Sequence, residues 1–110
     1  MTKQEIANRL LVLPKEIATA EDVVIEANRQ VVLAKETLQR KEDDLLLGNE
    51  IDGKNAEIRA AQMRQHTELE REGLSNAELN LKNAAVRLSK LKDELGALNS
   101  VAGLLQGGAA

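Results

Sequence analysis

Apolar residues recur at seven-residue intervals through both halves of the chain, and this repeat limits the fold more than any other feature. In the first half the first row, position a, contains Leu10, Ile17, Val24, Val31, Leu38 and Leu45. The second row, position d, contains Ile6, Leu13, Ala20, Ala27, Ala34 and Lys41. A seven-residue repeat of this length is typical of helices that supercoil around each other.

The second half carries the same repeat. Its a positions are Leu74, Leu81, Leu88, Leu95 and Ala102, and its d positions are Ala77, Ala84, Leu91, Leu98 and Leu105. The chain contains no Phe, Trp or Tyr, so it lacks the rings that supply the largest burials in most cores. We therefore expect an all-α protein whose core is a seam of Leu, Ile, Val and Ala.

Local signals predict the bounds of the first helix. The segment Thr2-Lys3-Gln4-Glu5 is a capping box, which favours a helix start at about residue 2. Pro14 removes a helical hydrogen bond, so it predicts either a kink or the end of a short first helix. No other breaker precedes Leu47. The sequence thus predicts a helix over about 2–47 with a kink or break at Pro14.

The segment 48–53 predicts the connection between the two halves. Gly48 suits a left-handed residue that closes a helix, and Asp52 suits the cap of the next one. So short a link favours antiparallel neighbours, with Leu10 facing Leu91. We therefore predict one domain, 1–110: a long antiparallel two-helix coiled-coil hairpin with its second helix over about 54–104 and a frayed tail at 105–110.

The phase of the repeat slips between Ile58 and Leu74. Ser75 and Glu78 form a second capping-box pattern just after Gly73. One interpretation is a break into two helices there. The favoured interpretation is one long helix with an irregularity at Gly73, because glycine costs a helix only about 1 kcal/mol.

A second apolar stripe on the first helix is left over when the seam is filled. It contains Leu11, Ala18, Ile25, Val32 and Leu46. Contiguous exposed apolar surface usually marks an interface. These residues are the candidate oligomer or partner interface, and we expect a homo-oligomer, with a dimer of hairpins forming a four-helix bundle favoured.

The residues predict no catalytic, cofactor-binding or metal site, and hence no enzyme. His66 is the only histidine, it lies in a polar run, and cysteine is absent. The acidic residues lack a pocket that would shift their pKa values. No apolar run reaches the length of a membrane span and no signal-peptide core begins the chain, so a cytoplasmic protein without a membrane partner is expected.

Nucleic acid is a less favoured partner. Arg59, Arg64 and Arg71 lie on the polar part of the second half, but glutamates are interleaved with them. Residues 1–47 carry 7 basic and 9 acidic side chains and residues 48–110 carry 8 and 9, so there is no basic half to hold a phosphate backbone. Without aromatic rings there is also no stacking platform for single strands.

The stretch Ile51-Asp52-Gly53-Lys54-Asn55-Ala56-Glu57, followed by Arg59, resembles a short pattern in small helical-hairpin proteins encoded by bacteriophages. There it lies between two long amphipathic helices. The resemblance implies a phage or prophage origin and action in the host bacterial cytoplasm. It implies no active site.

Three functional hypotheses follow. The first is a non-enzymatic protein–protein interaction module, an oligomeric coiled-coil adaptor or scaffold that binds another protein. The second is an accessory factor in phage DNA replication or recombination. The third is a virion tail or scaffolding component.

Overall fold

The computed structural model describes residues 1–108 and is all α-helical over that range. Its helices are α1 (Lys3–Leu47), α2 (Ala56–His66) and α3 (Glu68–Gly108). No strand occurs within these residues. The prediction of an all-α protein is therefore confirmed.

Helix α1 begins at the predicted cap and runs without interruption through Pro14. The backbone N–H of Glu5 donates to the Thr2 hydroxyl at 3.1 Å, as the first half of a capping box requires. Pro14 lies inside the helix, so no separate short helix ends at Leu13. The surrounding turns hold the helix together although one backbone hydrogen bond is missing at the proline.

The end of α1 differs from the prediction, because the left-handed residue is Asn49 and not Gly48. Asn49 has φ 56°, and no described glycine has a positive φ. The N–H groups of Asn49 and Glu50 donate to the carbonyls of Leu46 and Leu45, at 3.3 and 3.0 Å. These are the two bonds of a Schellman motif, in which the left-handed residue is the second after the last helical one.

The next helix begins later than expected, at Ala56, so the connection covers 48–55 and not 48–53. Its cap is Asn55 rather than Asp52: the Asn55 side chain accepts from the N–H of Ile58 at 2.9 Å. Asp52 instead accepts from Gln62 at 2.9 Å, and Gln62 in turn accepts from the N–H of Gly53 at 2.8 Å. Helix α2 thus fastens the loop that precedes it.

The second half is interrupted at Thr67, and not at Gly73, which lies within α3. Thr67 is 1% exposed, and its hydroxyl donates to the Met63 carbonyl at 2.7 Å. The Arg71 guanidinium donates to the Arg64 carbonyl at 2.5 Å, so a side chain of α3 closes the end of α2. This joint lies inside the interval where the repeat slips.

The C-terminal tail is also more helical than predicted, since α3 continues to Gly108. The predicted end of the second helix at about residue 104 is thus replaced by an end at Gly108. Ala109 and Ala110 lie outside the described residues.

The chain divides into two compact units. Unit 1 comprises Met1–Glu26 and Lys82–Ala110, and unit 2 comprises Ala27–Leu81. In unit 1 the core is a cluster of Ile6, Leu13 and Leu98, against which Leu10, Leu91 and Leu95 pack. In unit 2 the buried side chains are Val31, Leu45, Thr67 and Ala77.

The seven-residue repeat predicts burial well. Among the a and d positions of the two ladders, only Lys41 and Leu105 are exposed, and the others are buried or half-buried. Continued backward from Leu74 and Ala77, the same repeat reaches Thr67 and Ala60 at a, and Glu70, Met63 and Ala56 at d. Of these, Thr67 is buried and Glu70 and Met63 are half-buried, but Ala56 and Ala60 are exposed. Both failures lie in α2, before the joint at Thr67.

Candidate functional site

The unit 1 part of the predicted stripe consists of Leu11, Ala18 and Ile25, and all three are exposed. Leu11 is 79% exposed and Ile25 is 68% exposed, although Leu13, two residues from Leu11, is fully buried. Residues seven apart on one helix share a face, so the three form a single apolar row on this part of α1. This row is called the unit 1 stripe below.

The unit 2 part of the prediction consists of Val32 and Leu46, which are also exposed. Leu33 and Leu47, the next residues in each case, are exposed as well. Unit 2 therefore shows apolar side chains of its own to solvent.

A cluster of three charged side chains lies beside the core of unit 1. The Arg9 guanidinium holds Glu94 with two hydrogen bonds, Nε to Oε2 at 2.6 Å and a terminal nitrogen to Oε1 at 2.8 Å. It also contacts Glu16 at 2.7 Å. A two-pronged contact of this kind fixes both position and orientation. It joins the first part of α1 to the last part of α3.

The same contacts change the acidity of the carboxylate. Hydrogen bonds from Arg9 lower the pKa of Glu94 below its ordinary value of 4.5, and partial desolvation opposes that change. The hydrogen bonds to Glu94 and Glu16 raise the pKa of Arg9. Both groups are thereby held charged, which suits a structural ion pair and not proton transfer.

A groove in unit 1 lies beside this cluster. It has a volume of about 350 Å³ and is lined by Arg9, Glu16, Thr19, Ala20, Val23, Ala84, Arg87 and Leu91. Arg9 and Glu16 already satisfy each other there. The Thr19 hydroxyl, which also lines the groove, donates to the Lys15 carbonyl at 3.1 Å.

The remaining chemistry-bearing residues stay apart. His66 is exposed at the end of α2. Within residues 1–108, no three histidine, aspartate or glutamate side chains come close enough to hold a metal ion. Nor does any described helix have both the length and the apolar character needed to cross a bilayer.

Two of the three candidate nucleic-acid arginines have structural roles in unit 2. Arg59 donates to the carbonyl of Gly53 at 3.1 Å, and Arg71 donates to the carbonyl of Arg64. These guanidinium groups hold the loop before α2 and the joint after it. The structure therefore adds no support to the nucleic-acid alternative.

Sequence reasoning missed two features. Arg9 and Glu94 are 85 residues apart, and no local pattern relates them. The second feature is the joint at Thr67 between α2 and α3, which no local sequence signal marks. The available signal was the slip in the repeat, which bounds the joint but does not locate it.

Comparison of the chain with protein-family models, curated proteins and solved structures finds no match.

Proposed function

We propose that this chain is a non-enzymatic protein–protein interaction module: an antiparallel helical hairpin that dimerises into a four-helix bundle and serves as an adaptor or scaffold. The observation that carries the proposal is the unit 1 stripe. Leu11 and Ile25 remain mostly in water while the seam beside them is filled. Large apolar side chains arranged in a row on one helix face are typical of a surface that another helix covers.

Contacts within unit 1 support the hairpin. Residues 6–13 of α1 meet residues 91–98 of α3 in the buried cluster. The groove brings α1 residues up to Val23 to α3 residues down to Ala84. Rising numbers on α1 therefore meet falling numbers on α3, which is the antiparallel arrangement.

Sedimentation equilibrium at micromolar concentration tests the dimer directly. We expect a mass of two chains. Leu11→Ser and Ile25→Ser should each shift the population toward monomer, because each removes a large apolar contact from the proposed interface. Leu104→Ser, at a residue of α3 that is 75% exposed, is the matched control and should stay dimeric. A monomeric wild-type protein would refute the proposal.

The heterologous partner and the phage origin remain part of the proposal. The phage-like segment 51–57 forms the loop and first turn that Gln62 and Arg59 hold in place. Its residues thus have a structural explanation in this chain.

A further inference from the structure

We infer that a second copy of this chain covers the unit 1 stripe in antiparallel orientation, with Lys15 of each copy paired to Asp22 of the other. This inference rests on the proposed dimer and specifies its interface. It follows from where the charged residues lie beside Leu11, Ala18 and Ile25.

Lys15 and Asp22 lie on the same side of the stripe. Each follows a stripe residue by four positions: Lys15 follows Leu11, and Asp22 follows Ala18. Glu21 follows Ala18 by three positions and lies on the opposite side, because successive helical residues are about 100° apart.

A twofold axis between Ala18 and Thr19 makes the stripe complementary to itself. Residues whose numbers add to 37 then lie level with each other, which places Lys15 beside Asp22 of the second copy. Along the helix axis, Leu11 of one copy then lies within about 1.5 Å of the level of Ile25 of the other copy. Ala18 meets its own counterpart, and its small side chain lets the two helices approach closely.

The parallel alternative is electrostatically worse. In an antiparallel pair with this axis, the side of the stripe that carries Lys15 and Asp22 lies against the same side of the second copy. In a parallel pair, that side lies against the opposite side of the second copy, which carries Glu21. Parallel copies would therefore place Asp22 beside Glu21 of the second copy, twice per dimer. Like charges at this spacing repel, so the charge pattern selects the antiparallel orientation.

Lys15 and Asp22 are exposed and available for this contact. Neither side chain forms a hydrogen bond or an ion pair within the described residues. The Thr19 hydroxyl bonds only the backbone carbonyl of Lys15. The intrachain fold therefore does not account for these two charges.

Charge reversal tests the orientation. In sedimentation equilibrium at low ionic strength, Lys15→Glu and Asp22→Lys should each raise the dimer Kd about tenfold, because two attractive contacts become repulsive. The double variant Lys15→Glu/Asp22→Lys should return the Kd to within about threefold of wild type. Lys90→Glu, the same charge change on exposed α3, is the control and should leave the Kd unchanged.

Cysteine pairing gives a second readout, since the natural chain contains no cysteine. Leu11→Cys and Ile25→Cys proteins are mixed and oxidised. Antiparallel copies should yield mainly the mixed disulfide, whereas parallel copies would yield two like pairs.

The outcomes separate this inference from the proposed function. If Leu11→Ser and Ile25→Ser weaken the dimer but the charge variants do not, or the double variant is not restored, the dimer stands and the orientation is overturned. A predominance of like disulfides also overturns it. A monomeric wild-type protein overturns both.

Discussion

Arg9 shows how one side chain ties distant parts of the sequence together. It binds Glu94 through two nitrogens and reaches Glu16, which lies about two turns further along the same face of α1. The group lies beside the cluster of Ile6, Leu13 and Leu98. Its directional contacts oppose sliding of one helix along the other, which the apolar seam of similar residues would resist only weakly.

The lowered pKa of Glu94 gives a pH prediction. Because the pKa is lower in the folded chain, the unfolded chain takes up a proton first as the pH falls. The contribution of Glu94 to stability is thus complete above its ordinary pKa of 4.5 and is lost as the pH falls through the lowered value. In urea unfolding, the stability difference between wild type and Glu94→Gln should be larger at pH 7 than at pH 3.

Asp93→Asn is the control for this experiment, since Asp93 is the exposed neighbouring carboxylate. The difference in the free energy of unfolding between Asp93→Asn and wild type should change little between pH 7 and pH 3. A Glu94→Gln difference that is the same at both would contradict the role assigned to the Arg9 contact.

Leu13 is fully buried at the centre of the unit 1 core. Leu13→Ala should lower the free energy of unfolding by about 2–5 kcal/mol, because it removes buried methyl groups and leaves a cavity. Leu104→Ala, at a 75% exposed position, should change it by less than about 0.5 kcal/mol. Urea denaturation of both variants checks this pair, and equal losses would show that the core is misassigned.

At the scale of the elements, the helix ends decide where the chain turns. Helix α1 ends in a Schellman motif, α2 begins at the Asn55 cap, and α2 gives way to α3 at Thr67. Each boundary is defined by a few hydrogen bonds among residues close in sequence. Substitutions there act on one boundary at a time.

Asn49 carries the positive φ at the end of α1. Asn49→Ala should lower the free energy of unfolding by about 1 kcal/mol. Alanine has a Cβ, which disfavours a positive φ, but lacks the short polar side chain that makes this conformation more accessible to asparagine. Asn49→Gly should keep full stability, since glycine adopts it without strain. Thermal unfolding of the two variants distinguishes this assignment from one in which Gly48 is the left-handed residue.

Two glycines should respond oppositely to the same change. A Cβ at Gly73 meets no atom within 4 Å, so Gly73→Ala should stabilise α3 by about 0.5–1 kcal/mol. A Cβ at Gly53 would lie 3.0 Å from the backbone nitrogen of Arg59 and closer still to Ile58, so Gly53→Ala should destabilise. Chemical denaturation compares them, and a loss at Gly73 would indicate a break there after all.

For the whole molecule, the proposed dimer predicts that stability depends on protein concentration. If the chain dimerises as proposed, its Tm should rise with protein concentration over a hundredfold range, because dimerisation favours the folded state by mass action. Lys90→Glu should follow the same dependence. Leu11→Ser should unfold at a lower Tm at every concentration. A Tm that does not change with concentration would contradict the proposal.

The spacing of apolar residues predicted much of the fold. The a and d positions identified the buried faces of α1 and α3, and Thr2 marked the start of α1. Such patterns are informative because helical periodicity is local and depends on residues three, four and seven apart. The stripe residues were identified as those left over, and their exposure in the structure agrees with that reasoning.

The turn was harder to predict in detail. Gly48 and Asn49 both tolerate a positive φ, as do many neighbouring pairs in loops, and the hydrogen bonds decided in favour of Asn49. Asp52 and Asn55 are both residues that favour the cap of a helix. In the structure the Asp52 side chain accepts a hydrogen bond from Gln62, and the Asn55 side chain accepts one from the backbone N–H of Ile58. Where two neighbouring residues have a similar propensity for a turn or cap position, only the contacts in the folded chain determine which of them takes it.

By itself the sequence determined that this chain is helical and which faces of its long helices are apolar, because both depend on short-range spacing. Tertiary structure decided that Arg9 meets Glu94 and that the Thr67 side chain is buried. Those features depend on the register between helix segments far apart in the chain. Register is fixed by the sum of many contacts across the seam, which no local pattern contains.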